Sequence, residues 1–338
     1  MKHLLNTLYI LTPQSYLSLQ NETIAVKVGG EEKVRVPAHT IGSIYCFGNV
    51  TVSTPLIGFC GQRGISLVFL SEYGKFYGRI QGPVSGNILL RQRQFAAVGD
   101  PIQQARYTRS FVLGKLANSK LFLQRQRREH PAHSAEIGSA VEKLTAAAQA
   151  LRDCPTVDSM RGIEGTAAAA YFSALPFTLT KQDFTFTGRN RRPPEDPVNA
   201  VLSFLYTLLK NDIQSALEGV GLDPAAGFLH TLRPGRPALA LDLMEELRAP
   251  LCDRLAIALF NRGQITRKSF EQLHAPVLLN EEGRKTVVSA WQKRKQEMLT
   301  HPFLSESVPI GLIPHTQAML LARVLRGELD EYPPFLWR

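Results

Sequence analysis

The first 85 or so residues alternate on a short period. Thr23–Val28 (TIAVKV) alternates apolar and polar positions, Gly29-Gly30 supplies a turn, and residues 32–36 (EKVRV) alternate again. That pattern predicts a β-hairpin. Short β-rich runs at 8–11 and 16–19 are split by Thr12-Pro13, and residues 41–47, 65–70 and 75–80 read as three more strands. Between them, Thr54-Pro55-Leu56 opens a short helix that runs to about Gln62, with Thr54 as its cap and Pro55 at the first helical position. Several short strands broken by frequent turns predict a small β-sandwich.

Gly82-Pro83 and Gly86 punctuate the chain, and beyond them the period becomes helical. Helices are expected over residues 88–97, 101–128, 135–151 and 156–175. Pro197 starts a strongly apolar helix that ends at 219–221, and Pro237 starts one that runs through ALALDLMEELRAPLCDRLAIALFNRG. From about Arg262 onward the chain reads as helical and basic, with Arg284, Lys285, Lys293, Arg294 and Lys295 assigned either to DNA or partner contact or to a solvated surface. The fold class is therefore α+β: a small N-terminal β-sandwich domain over residues 1–85, then a larger all-α domain over residues 86–338.

The chain has 338 residues, a formal net charge of +10 and a sequence pI near 9.6. Such a balance favours an anionic partner, nucleic acid before an anionic membrane surface, and is also compatible with a surface that is simply basic. The long stretch 101–128 carries Arg106, Arg109, Lys115, Lys120, Arg125, Arg127 and Arg128, which suit either a phosphate-binding face or a solvated helix. Cys46, Cys60, Cys154 and Cys252 form no Cys-x-x-Cys pair, which removes zinc-ribbon and thioredoxin-type readings and fits a reducing cytoplasm. The opening MKHLLNTLYILTPQ is too short and too polar for a signal peptide, and no apolar run approaches the roughly 20 residues that span a bilayer.

Three stretches carry candidate chemistry. In TVDSMRGIEGTAAAAYFSAL, Gly162 and Gly165 flank Glu164, and small residues there let another backbone or a ligand come close. In FTFTGRNRRPPEDP, Arg189, Arg191 and Arg192 suit forked contacts to phosphate oxygens. In GFLHTLRPGRPALALDLMEELR, His230 precedes a Pro/Gly-broken arm and a helix on which Asp242, Glu245 and Glu246 lie close together. Asp253 returns to their face but lies about 16 Å further along the helix, too far to share a metal with them. That helix is apolar nearly all round, so its acids need cations. A buried ion pair with Arg236, Arg248 or Arg254 would satisfy them, and so would a divalent metal. Hard carboxylates with one imidazole suit Mg2+ or Mn2+ better than zinc.

These blocks, with RGIEG and the alanines leading to Tyr171-Phe172 first, GRNRRPPEDPVNAVLSFLYTLL second and GFLHTLRPGRPALALDLMEELRAP third, resemble in content and order the signature blocks of the CRISPR-associated integrase family, the first and most widespread family of CRISPR adaptation proteins. The opening and the length look most like the I-C subtype. The resemblance covers nearly the whole chain and implies a divalent metal, Mg2+ or Mn2+, held by Glu164, His230 and Glu245. It implies Asp242 beside the metal, Arg248 near phosphate, and Tyr171 and Asn199 as supporting residues. The implied reaction joins 3′-hydroxyl ends of short foreign DNA fragments to the ends of a CRISPR repeat by transesterification, and hydrolysis follows when water replaces the hydroxyl. The implied assembly is a homodimer joined through the β domains, two of which flank a dimer of a small ferredoxin-like companion protein in a heterohexamer. A stand-alone metal nuclease acting on branched DNA is the alternative enzyme. A nucleic-acid-binding scaffold with structural ion pairs is the non-enzymatic one.

Overall fold

The computed structural model describes residues 4–82, 88–180, 184–190 and 193–337. The N-terminal region is β-rich: β1 (Asn6–Ile10), β2 (Tyr16–Gln20), β3 (Thr23–Val28), β4 (Glu31–Pro37), β5 (Ile41–Phe47), β6 (Thr51–Val52), α1 (Thr54–Arg63), β7 (Ser66–Leu70) and β8 (Phe76–Ile80). They form two four-stranded sheets, in the orders β1-β5-β7-β8 and β4-β3-β2-β6. The predicted hairpin is β3–β4, pairing Thr23 with Pro37 and Ile24 with Val36, and its turn uses Gly29 and Gly30 at φ 59° and 85°. Helix α1 departs from expectation at its start. Ser53 is the capping residue, with extended backbone, and Thr54 already lies inside the helix.

Strand period explains how this region meets the rest of the chain. Alternate side chains of one strand face opposite ways. On β5, Ile44 and Cys46 join Leu17, Ile24, Leu56, Cys60 and Leu67 in one apolar core between the sheets and α1. Tyr45 and Phe47 of the same strand belong to the core of the helical region. The central strands β5 and β7 are thus buried on both faces, which is why IYCF and SLVFL read as nearly continuous apolar runs.

The helical region begins with α2 (Ile88–Gly99) and α3 (Pro101–Glu129), followed by α4 (Ser134–Arg152), α5 (Val157–Ala174) and α6 (Pro197–Gly219). Pro83 and Gly86, where the sequence changes character, lie outside the described residues. Helix α3 starts on Pro101 and is capped by Asp100, whose carboxylate accepts from Ile102 N. Helix α6 starts the same way, on Pro197 behind Asp196.

Two expectations fail further on. The helix predicted from Pro237 is three pieces: α7 (Ala238–Glu245), a wide π-type turn over Arg248–Asp253, and α8 (Arg254–Asn261). Pro250 lies in the turn, where its missing N–H and its ring disrupt a regular α ladder. The stretch after Arg262 is not wholly helical. It contains the antiparallel pairs β9 (Phe270–Gln272) with β10 (Leu278–Leu279) and β11 (Met298–Thr300) with β12 (Ser307–Pro309), beside α9 (Glu281–Gln296) and α10 (Ile313–Leu325). Nor are its cations all on the surface. Arg284 is buried and reaches Glu72 at 3.1 Å, while Lys295 is buried against Asp212 at 3.1 Å. Both tie helix α9 to other parts of the chain. Among the described residues no helix is long and apolar enough to cross a membrane.

Candidate active site

In the loop between α6 and α7, residues 226–229 are irregular yet buried, so the backbone there must find partners outside regular structure. It finds them on three helices. Gln94 of α2 donates to the carbonyls of Asp223 and Ala226, Gln104 of α3 to that of Phe228, and Arg161 of α5 to that of Leu229. Gly227 lets the loop lie on the start of α7: a β-carbon there would stand 2.6 Å from Ala238 C and Leu239 N.

The N–H groups that follow Gly227 converge on Asp242. Its Oδ2 accepts from Phe228 N at 2.5 Å and Leu229 N at 3.0 Å, and its Oδ1 from His230 N at 2.9 Å. The same Oδ1 lies 2.7 Å from His230 Nδ1. An ionised carboxylate only accepts, so this contact puts a ring proton on Nδ1, and in the neutral imidazole the lone pair then lies on Nε2. Nε2 faces Glu245 Oε1 at 3.7 Å. Asp242 therefore holds the loop and orients the imidazole.

Glu245 is the centre of the cluster. Arg248 Nη1 lies 3.1 Å from its Oε1, and Lys115 Nζ lies 2.7 Å from its Oε2. Lys115, reaching across from α3, also makes a short contact with Glu164 Oε1 on α5. Burial would raise the Glu245 carboxyl, but Arg248, Lys115 and His230 together hold it down at about 2, so it is ionised at any physiological pH. Glu245 Oε2 is buried and, despite the nearby ammonium, has no hydrogen bond of good alignment.

Among the described residues no three His, Cys, Asp or Glu side chains stand together as a ready-made metal cluster. The donors nonetheless fit a hard divalent ion. Carboxylates from two helices meet at the Lys115 ammonium, and the His230 imidazole faces the other oxygen of Glu245 through Nε2. Glu164 and His230 are about one-fifth exposed, 23% and 20%, so the cluster opens to solvent on their side.

Glu246 does not share the cluster. It points the other way, accepting from Tyr332 Oη at 2.6 Å, Gln317 Nε2 at 3.0 Å and Phe335 N at 2.8 Å, which fastens the C-terminal tail to α7. Burial pushes its carboxyl up to about 7 against those three hydrogen bonds.

A second buried group lies behind Arg248. Asp253 accepts from Tyr206 Oη at 2.6 Å and Tyr171 Oη at 2.9 Å. Burial pushes its carboxyl up to about 6, and burial followed by the Asp253 charge pushes both phenols well above their usual range. The guanidinium groups of Arg248 and Arg189 each lie 5.2 Å from the Tyr206 ring centroid, within cation–π reach. Asn199 braces the Arg189 loop, accepting from Arg189 Nη1 at 2.7 Å and Asn190 N at 3.1 Å and donating to Gly188 O at 2.8 Å. Tyr171 and Asn199 are thus supports set back from Glu245. Arg191 and Arg192 lie outside the described residues.

Lys115 and Tyr206 are site residues that the sequence did not single out, and Asp253, expected too far along the helix to share a metal, is held by the two tyrosines rather than beside Glu245. Lys115 stood among seven cations of one long stretch, yet its neighbours Phe111, Val112, Gly114 and Leu116 are buried, and that local apolar run was the available signal. Arg109 from the same set donates to the carbonyls of Leu151 and Cys154 and joins α3 to the end of α4.

A family profile for "CRISPR associated protein Cas1" matches residues 8–293. The chain is 47% identical over the full length of both chains to a CRISPR-associated endonuclease Cas1 of Chlorobaculum tepidum, and 48% identical over the full length of both to one of Rhodospirillum rubrum. In fold it is similar to a CAS1 protein from Thermotoga maritima, with TM-score 0.82, 24% identity and coverage of 96% and 97% of the two chains. It is also similar to a casposase bound to integration product, with TM-score 0.85, 20% identity and coverage of 99% and 95%.

Proposed function

The chain belongs to the Cas1 family of CRISPR-associated proteins, and on that footing we propose that it is a metal-dependent DNA integrase and endonuclease of CRISPR adaptation. Its reaction joins 3′-hydroxyl ends of short foreign fragments to the edges of a CRISPR repeat. The Lys115 ammonium shared by Glu164 and Glu245, with His230 Nε2 3.7 Å from the other oxygen of Glu245, supports this most strongly.

In the exchange, a 3′-hydroxyl oxygen bonds to phosphorus, the bond from phosphorus to the target's own 3′-oxygen breaks, and the departing oxygen takes up a proton. One phosphodiester replaces another, so no nucleotide cofactor is consumed. Glu164, Glu245 and His230 Nε2 would hold Mg2+ or Mn2+, which stabilises charge that builds on the phosphoryl oxygens when bound. Asp242 would keep a proton on His230 Nδ1, so that the neutral imidazole presents its lone pair at Nε2. The low pKa of Glu245 keeps it an anionic ligand. Arg248, stacked on Tyr206 and backed by Asp253, offers a fixed positive charge to a phosphate, and Arg189 shares that stack. Arg191 and Arg192, next in sequence, would add positive charge for the same phosphate contact.

The β-rich region, residues 1–85, would join two copies in a homodimer, and residues 86–338 would carry catalysis and DNA. Two such dimers flanking a small ferredoxin-like companion would space two sites along one fragment in a heterohexamer. Solved structures of similar fold include ones described as a Cas6-RT-Cas1–Cas2 complex and as a casposase bound to integration product.

The test is strand transfer. Purified protein with Mn2+ and a branched DNA mimicking a half-integrated spacer should rejoin the target strand. EDTA or Glu245→Ala should abolish the product. Hydrolysis without rejoining, by the wild type with companion and repeat DNA present, would replace this reading with a stand-alone nuclease.

A further inference from the structure

Lys115 is an unusual neighbour for a metal site. Its side chain is 11% exposed, and its ammonium touches both Glu164 and Glu245, carboxylates contributed by different helices. Two buried or half-buried anions that close would repel each other in the absence of a cation. Arg248 meets only one of them, at Glu245 Oε1. The bridging charge belongs to Lys115 alone among the contacts described, and it stands where the proposed metal would be held.

From this placement, and resting on the metal-site reading above, we propose that Lys115 is a resident counter-cation: it holds Glu164 and Glu245 together in the metal-free protein and competes with the divalent ion for the same two carboxylates. An ammonium and a dication cannot both occupy the space between those oxygens, because like charges at contact distance repel strongly in a low-dielectric cluster. The ammonium ends a flexible four-carbon stem, so it can leave without moving α3. The metal-free site is thereby kept assembled at the expense of metal affinity, and Lys115 sets that affinity.

The exchange is tested by metal binding and by unfolding, neither of which depends on catalysis. Mn2+ is titrated into the full-length wild type and into Lys115→Gln, Lys115→Met and Lys115→Arg, reading free Mn2+ by electron paramagnetic resonance. Thermal unfolding is followed by circular dichroism, in EDTA and in saturating Mn2+. Lys115→Gln and Lys115→Met should bind Mn2+ at least tenfold more tightly than the wild type. They should unfold at lower temperature in EDTA and regain most of that loss in Mn2+. Lys115→Arg, which keeps the charge, should bind no more tightly than the wild type and folds as the control if the neutral variants are damaged. Neutral variants that bind Mn2+ no better than a wild type that does bind it would overturn the counter-cation role and leave the metal site standing. Absence of binding in every form, or binding that survives Glu164→Gln and Glu245→Gln unchanged, would overturn both.

Discussion

Replacing Asp242 by Asn removes one oxygen from a group that uses both. Oδ2 serves Phe228 N and Leu229 N, while Oδ1 serves His230 N and the imidazole Nδ1. If the amide oxygen takes the place of Oδ2, the amide nitrogen faces the His230 N–H, which loses its acceptor. The ring must then accept at Nδ1, and its proton moves to Nε2, facing Glu245. If the amide oxygen takes the place of Oδ1, two buried N–H groups lose their acceptor instead, so the first arrangement is the less costly. One orphaned buried donor, together with the exchange of charged for neutral hydrogen bonds, amounts to about 2–4 kcal/mol of stability. The tautomer change removes the Nε2 lone pair from the cluster, and loss of such an orienting partner lowers metal affinity by roughly 10- to 100-fold. Urea unfolding in EDTA measures the first quantity and Mn2+ titration the second. A variant within about 0.5 kcal/mol of wild type that binds Mn2+ equally well would show that Asp242 does not set the imidazole.

Other consequences follow from the same packing. Gly227→Ala drives a methyl group into the backbone of α7 at 2.6 Å, so it should destabilise the protein by about 1–3 kcal/mol and weaken Mn2+ binding by displacing His230, both measurable on the purified variant. Glu246 has its folded-state pKa raised from 4.5 to about 7, so wild-type stability from this group is full below pH 4.5 and is lost as pH rises through 7. Glu246→Gln removes that loss, and its stability relative to wild type should improve by about 1–3 kcal/mol between pH 4.5 and 7.5 in urea unfolding; a pH-independent difference would contradict the buried carboxyl. DNA affinity should fall steeply with salt, by about a thousandfold or more between roughly 50 and 200 mM if six or more phosphates are contacted; an affinity flat across that range would remove the basic surface from the account.

The parts of the fold written in short-range pattern were legible. The β3–β4 hairpin follows from alternation around Gly29-Gly30, and the starts of α3 and α6 follow from Asp-Pro pairs. The Arg248–Asp253 turn was not legible, because the apolar residues on either side keep a helical rhythm straight through Pro250. The spacing of Asp242 and Glu245 put both acids on one helix face, whereas the ligand roles of His230 and Glu164 came from the resemblance of the sequence blocks to the family. Glu246 looked equivalent to its neighbour in sequence. Its partners Tyr332 and Phe335 stand 86 and 89 residues away, and nothing local records them. Lys115 illustrates the same limit, since it meets Glu164 across 49 residues and looks, in sequence, like six other cations around it. Chain segments that meet only in the folded state decide which of several similar charges is buried, and composition carries no trace of that choice.

Glu164, His230 and Glu245 are proposed to hold one divalent ion. Crystals of the protein soaked in Mn2+ and measured for anomalous scattering at the manganese edge test it most directly. A peak bounded by the two carboxylates and His230 Nε2 should appear, and it should be absent in Glu245→Gln crystals. No peak there, at a Mn2+ concentration that supports DNA strand transfer in solution, would contradict it.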